Sequence, residues 1–219
     1  MKKDRNIILD NFIWRFAERC GAQLVTAVVT LLLARILMPE DYGKTALVAV
    51  FINILQVFID SGLGTALIQK KDADDLDFSS VFYFNFAVCL VLYAGMFIAA
   101  PYIAAFYKDP SLTPVVRVAS LTLVFSGIKG IQQAYVSRNM LFKRFFFATL
   151  GGTLFSAFLG LGMAYAGFGV WALVAQQLSN TAIDTLILWL TVHWRPKKLR
   201  AQPVWKARRK IYSRTRRKS

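Results

Sequence analysis

The sequence has little of what soluble enzymes are built from. A single histidine and two cysteines, Cys20 and Cys89, leave no His/Cys cluster for a metal and no disulfide framework. Both cysteines fall inside long apolar stretches, where a thiol behaves as a small buried hydrophobe. There is no GxxxxGK phosphate loop and no recognisable set of nucleophile, base and metal ligands, so no enzyme, cofactor or metal site is expected. The acidic run Asp72, Asp74, Asp75 and Asp77 sits beside Lys70 and Lys71 and reads as a solvated loop. The opening residues are polar, and Arg15, Glu18 and Arg19 interrupt the first apolar stretch, so a cleavable signal peptide is not expected.

Acids are scarce, 12 against 27 Lys and Arg, for a formal net charge of +15. That excess is local. Residues 195–219 hold 12 Lys or Arg and no acid, which leaves +3 on residues 1–194. The basic balance is therefore a property of a tail, and a nucleic-acid partner does not follow from it.

What the chain has in quantity is apolar surface. Of its 219 residues 56% are hydrophobic, against about 45–50% in soluble domains. They gather into runs of about twenty, the length that crosses roughly 30 Å of hydrocarbon at 1.5 Å per helical residue. These runs do not alternate with the period of two that a membrane β-barrel strand requires. The expected fold is an all-α integral membrane bundle of six helices, over about 12–37, 43–68, 79–104, 114–135, 145–165 and 169–192. Residues 1–194 form the bundle and 195–219 a basic tail. Pro39, Pro110 and the pair Gly167 and Gly169 mark short turns between spans.

Basic residues orient such a bundle. With the amino terminus inside, the inner segments ahead of the tail hold Lys2, Lys3, Arg5, Lys70, Lys71, Arg138, Lys143 and Arg144, and the outer segments only Lys44 and Lys108. Both termini are expected in the cytoplasm. Arg35 and Arg117 lie near the outer boundary and are read as snorkelling, while Trp189, His193 and Trp194 are read as an interfacial belt. Gly152, Ser156, Gly160 and Ala164 repeat every four residues on the fifth span, a small-residue stripe for close helix packing.

Ionisable side chains in a bilayer cost about 2.5–3.5 kcal/mol each on insertion scales, so each needs a partner, a wet cavity or a route to the interface. On the first span Arg15, Arg19, Gln23, Thr26 and Thr30 form a polar stripe, with Glu18 beside Arg15. The second span places Asn53, Gln56 and Asp60 at i, i+3 and i+7, and the sixth repeats this with Gln177, Asn180 and Asp184. Asn85 interrupts the third span; Lys129, Gln132 and Gln133 lie on the fourth. Several of these fall in the same half of the membrane, and a hydrated inward-opening cavity accommodates them. Its cations Arg15, Arg19 and Lys129 balance Glu18, Asp60 and Asp184, so charge alone does not specify an anionic substrate.

Four ordered segments carry a family resemblance. They are Ala34-Arg35-Ile36-Leu37-Met38-Pro39-Glu40-Asp41-Tyr42-Gly43, Asp60-Ser61-Gly62-Leu63-Gly64-Thr65-Ala66-Leu67-Ile68-Gln69, Phe106-Tyr107-Lys108-Asp109-Pro110 and Gly167-Phe168-Gly169-Val170-Trp171-Ala172-Leu173-Val174. A further match surrounds Arg138, Met140 and Phe142. In this order they resemble the amino-terminal half of Wzx/WzxC-type oligosaccharide flippases, in the multidrug/oligosaccharidyl-lipid/polysaccharide exporter superfamily.

The resemblance implies one of two six-helix bundles that move a polyprenyl-pyrophosphate-linked sugar across the bacterial plasma membrane for cell-surface polysaccharide or lipopolysaccharide biosynthesis. On that reading Arg15, Arg19 and Lys129 are candidates for phosphate contact. Asn53, Gln56, Asn85 and Gln177 are candidates for sugar hydroxyls, and Glu18, Asp60 and Asp184 for charge balance or ion coupling. The resemblance fades after residue 200. The chain is then expected to be a truncated product, inactive by itself, or a half-transporter that pairs with a second copy. Two alternatives stay open: a cation-coupled multidrug exporter of the same superfamily, which requires an acidic, aromatic-lined cavity, and a membrane glycosyltransferase.

Overall fold

The computed structural model describes residues 2–59, 75–138, 142–192 and 194–196, and among them all regular structure is helical. The helices are α1 (Lys2–Ile36), α2 (Pro39–Ile59), α3 (Asp75–Phe106), α4 (Leu112–Ala119), α5 (Leu121–Arg138), α6 (Phe142–Tyr165) and α7 (Val170–Thr191). Arg19–Ile36, Pro39–Ile59, Phe78–Phe106 and Leu112–Arg138 are long and apolar enough to cross a membrane, and Thr149–Tyr165 is a shorter apolar helix. α7 is not among them, because Gln176, Gln177, Asn180 and Asp184 interrupt its apolar run. The molecule is an all-α, multi-pass membrane protein. Phe158, Tyr102, Leu190 and Val91 each leave more than two thirds of their surface uncovered, an outer face suited to acyl chains.

The expected fourth span is two helices end to end. Ser120 keeps helical dihedrals (φ −63°, ψ −18°), and its hydroxyl donates to the Val116 carbonyl oxygen. Such back-bonding competes with the helix ladder and bends it, and the Leu123 N–H turns to the Ser120 carbonyl at 3.0 Å. α1 begins well ahead of the expected first span, because hydropathy marks entry into lipid and not the start of the helix.

α7 is the axis of the bundle, packed on α6, α5, α4 and α2; α3 packs on α4 and α5, and α1 packs on α6. One apolar cluster, including Val48, Met96, Val116 and Val174, joins α2, α3, α4 and α7. Towards the opposite end Phe78, Phe82, Ile131 and Leu188 close around Trp194. Trp194, expected in an interfacial belt, is thus buried, because the chain after α7 folds back onto α3 and α5. Arg117 lies over the Phe97 ring, 4.2 Å from its centroid, so its charge rests on an aromatic face.

Gly169 makes the reversal between α6 and α7 possible. Its φ of 53° and ψ of −128° belong to glycine, and an added Cβ would lie 3.1 Å from Asp41 Oδ1. Gly169→Ala is expected to cost about 1–3 kcal/mol, read as a lower unfolding midpoint in mixed detergent–SDS micelles. An unchanged midpoint would mean that the turn relaxes.

At the same end a polar clasp joins two connections. Lys44 Nζ lies 3.1 Å from Asp109 Oδ2 and donates to Ser111 Oγ at 3.1 Å. The Ser111 amide and hydroxyl donate to Asp109 Oδ1 at 2.9 and 2.6 Å. The Ser111 hydroxyl and the Lys44 ammonium hold the Asp109 carboxyl below the usual carboxylate range. A depressed folded-state value means that the clasp's contribution is present above the unfolded-state pKa and lost as pH falls through the folded one. In a carbon-13 NMR titration the Asp109 carboxyl should therefore titrate below free aspartate, and Ser111→Ala should move its midpoint upward; a midpoint insensitive to Ser111 would show the clasp absent in solution.

Candidate functional site

The site is built on the α6–α7 contact. At Gly152 an added Cβ would sit 3.2 Å from the Asn180 carbonyl oxygen and the Asp184 nitrogen, and at Gly160 one would sit 2.9 Å from Gln176 Cβ. The four-residue stripe of small side chains thus lets the two backbones approach, as its spacing predicts. This approach sets the polar residues of α7 beside Thr153 and Ser156.

α1 and α2 complete a cavity of about 240 Å³ above that floor. Its walls are Thr26, Val29 and Thr30 from α1, Thr45 from α2, Thr153, Ser156 and Ala157 from α6, and Leu173, Gln176, Gln177 and Asn180 from α7. Among the described residues no acidic, basic or aromatic side chain lines it. Tyr42 on α2 donates to the Thr30 carbonyl on α1 at 3.4 Å and clasps one side. At 1.5 Å per residue the lining runs from roughly 5 Å (Leu173) to roughly 18 Å (Thr153) inward from the shared helix ends.

One turn further along α7, Asp184 forms an ion pair with Lys129 of α5. The Asp184 side chain is 3% exposed and that of Lys129 22%. The second carboxylate oxygen, Oδ1, is buried with no hydrogen-bond partner among the described residues. The carboxylate therefore depends on Lys129.

The structure brings some of the sequence-predicted residues together and separates others. Gln177 and Asn180 line the cavity, and Lys129 and Asp184 pair beside it. Asn85 is buried on α3 and donates to the Gly127 carbonyl at 3.3 Å, away from the cavity wall. Gln132 is wholly buried and donates to the Trp194 carbonyl at 3.4 Å. Arg19 and Asn53 are exposed on α1 and α2, and Gln56 is half-buried. Arg15 and Glu18 lie on α1, with side chains outside the description. Asp60, Asp72, Asp74, His193 and the tail from residue 197 lie outside the described residues.

Thr45, Thr153 and Gln176 are wall residues that sequence reasoning passed over, and Ser156 was read only as packing. A signal existed for Gln176, four residues before Asn180 and adjacent to Gln177. The hydroxyls gave little, since Ser and Thr satisfy themselves on their own helix. Among the described residues no group of three His, Cys, Asp or Glu is placed to hold a metal.

Comparisons with known proteins agree on one group. The family described as polysaccharide biosynthesis protein matches residues 32–208. The chain is 25% identical over 187 residues to the succinoglycan biosynthesis transport protein ExoT of Rhizobium meliloti, covering 85% of this chain and 38% of that protein. It is 30% identical over 148 residues to the teichuronic acid biosynthesis protein TuaB of Bacillus subtilis, covering 64% and 30%. To the lipopolysaccharide biosynthesis protein WzxC of Escherichia coli it is 24% identical over 160 residues, covering 71% and 32%. The chain thus spans about a third of the length of the curated relatives it matches. No solved structure matches it. With residues of α1 through α7 falling inside the matched range, the chain belongs to the polysaccharide biosynthesis protein family.

Proposed function

We propose that this chain forms one bundle of a flippase that carries a lipid-linked oligosaccharide across the bacterial plasma membrane, without catalysing a chemical step. The observation that carries this reading is the cavity between the helices, polar yet free of acids and aromatics among the described residues. A cation-coupled drug exporter calls for the opposite lining, and the relatives are named for polysaccharide transport and biosynthesis. In this reading the sugars enter the polar space while the polyprenyl tail stays in lipid. Arg15 and Arg19 meet the pyrophosphate by charge-assisted hydrogen bonds. Lys129 meets it only by leaving Asp184.

Both termini face the cytoplasm, and the basic tail adds attraction to anionic lipid headgroups of about 1 kcal/mol per residue near the surface. A second bundle completes the pathway, since alternating access works by two bundles rocking about a shared site and Arg19, Asn53 and Gln177 stand exposed.

The test is liposome reconstitution with a fluorescent polyprenyl-pyrophosphate oligosaccharide, set against ethidium efflux. We expect the glycolipid to cross in vesicles holding cross-linked pairs and not in vesicles holding single copies. Passage by single copies would overturn the two-bundle requirement, and ethidium efflux without glycolipid movement would overturn the substrate class.

A further inference from the structure

We infer that the cavity between α1, α2, α6 and α7 is a subsite for one uncharged sugar ring, and that it discriminates against acidic sugars and phosphate. The inference rests on the flippase reading and assigns a chemical class to one part of its path.

The hydrogen-bond polarity of the wall carries it. Five hydroxyls line the cavity, and four of them spend their proton on their own helix. Thr26 donates to the Ala22 carbonyl at 2.8 Å, Thr45 to that of Asp41 at 2.8 Å, Thr153 to that of Thr149 at 2.7 Å and Ser156 to that of Thr153 at 2.9 Å. A hydroxyl has one proton and two lone pairs, so these four present acceptors to the space. The amides of Gln176, Gln177 and Asn180 also line the cavity and offer both donors and acceptors.

A sugar hydroxyl both donates and accepts, and it matches such a wall. An ionised phosphate or carboxylate only accepts. It would face lone pairs, and among the described residues no cationic side chain lines the cavity to compensate. The nearby Lys129 is already neutralised by Asp184. Val29, Ala157 and Leu173 supply apolar contact for the C–H edges of a ring. A volume of about 240 Å³ lies below the roughly 300–1,000 Å³ of drug-sized sites, which suits one ring and not a whole repeat unit.

The experiment uses the full chain in lipid nanodiscs and a decyl β-glucoside bearing a diazirine on its glucose ring. Adducts are expected on the peptides holding Thr26, Thr153 and Gln177. Octyl β-glucoside should displace the label at about tenfold lower concentration than octyl β-glucuronide or octyl phosphate. Thr153→Val and Gln177→Leu should each lower labelling several-fold, while Thr181→Val, on α7 outside the lining, should leave it unchanged.

Adducts spread over lipid-facing Phe158 and Leu186, or equal displacement by glucuronide or phosphate, would overturn the inference. The competition on the unmodified chain decides even where a variant fails to fold. Labelling reads occupancy and not passage. A chain that labels in the cavity yet moves no glycolipid even as cross-linked pairs overturns the flippase reading alone, and passage by those pairs without cavity labelling overturns this one alone.

Discussion

Lys129→Ala is expected to lower stability by about 3–5 kcal/mol, the cost of leaving a buried carboxylate without its partner. Asp184 is 3% exposed in its side chain, and its Oδ1 has no hydrogen-bond partner among the described residues, so the lost cation is not replaced locally. Asp184→Asn should cost less, because the Lys129 side chain is 22% exposed and its long stem can carry the ammonium toward a wetter environment. Replacing both partners, with Lys129→Met and Asp184→Leu, should recover most of the loss, since an apolar pair of similar volume needs no compensation. Unfolding midpoints of the three variants in mixed micelles test this order. Equal losses in Lys129→Ala and the double variant would show that the pair contributes shape and not charge balance.

Gly127→Ala should destabilise the α3–α5 contact by about 1–3 kcal/mol through overpacking. An added Cβ would fall 2.2 Å from Cys89 Sγ and 3.1 Å from Cys89 Cβ. Cys89 is completely buried, so its sulfur has little room to turn away. The Gly127 carbonyl also accepts from Asn85 Nδ2, and a shift of α5 that relieved the clash would strain that hydrogen bond. Cys89→Ala in the same chain removes the sulfur and leaves only the tight 3.1 Å approach, so it should restore part of the loss. A double variant no better than Gly127→Ala would place the clash elsewhere.

Helical class and the approximate position of each helix were legible because apolar runs of membrane length have few other uses. The small-residue stripe on α6 was legible for a related reason: spacing of four puts Gly152, Ser156 and Gly160 on one face whatever the neighbour is. The neighbour itself was not legible. Asn85 and Gln132 carry the same polar signal as Gln177 and Asn180, yet the first two bond across helix contacts and the last two line a cavity. A helical wheel states an angle; which helix stands at that angle is decided by tertiary packing. The pairing of Asp184 with Lys129 required knowing that α5 lies beside α7. The break at Ser120 left no trace because its dihedrals remain helical. Trp194 looked interfacial because it follows the last span, and only the return of the chain onto Phe78 and Phe82 buries it.

The packing of α1 on α6 sets an order of events during biosynthesis. α1 ends at Ile36 and α6 begins at Phe142, so the partner of the first helix emerges on the order of a hundred residues later. At about 5–20 residues per second, α1 waits roughly five to twenty seconds before Ala157 and Ala164 of α6 arrive to cover its Val29 and Leu33. During that interval its residence in the bilayer falls to the insertion machinery and to the apolar run of Arg19–Ile36.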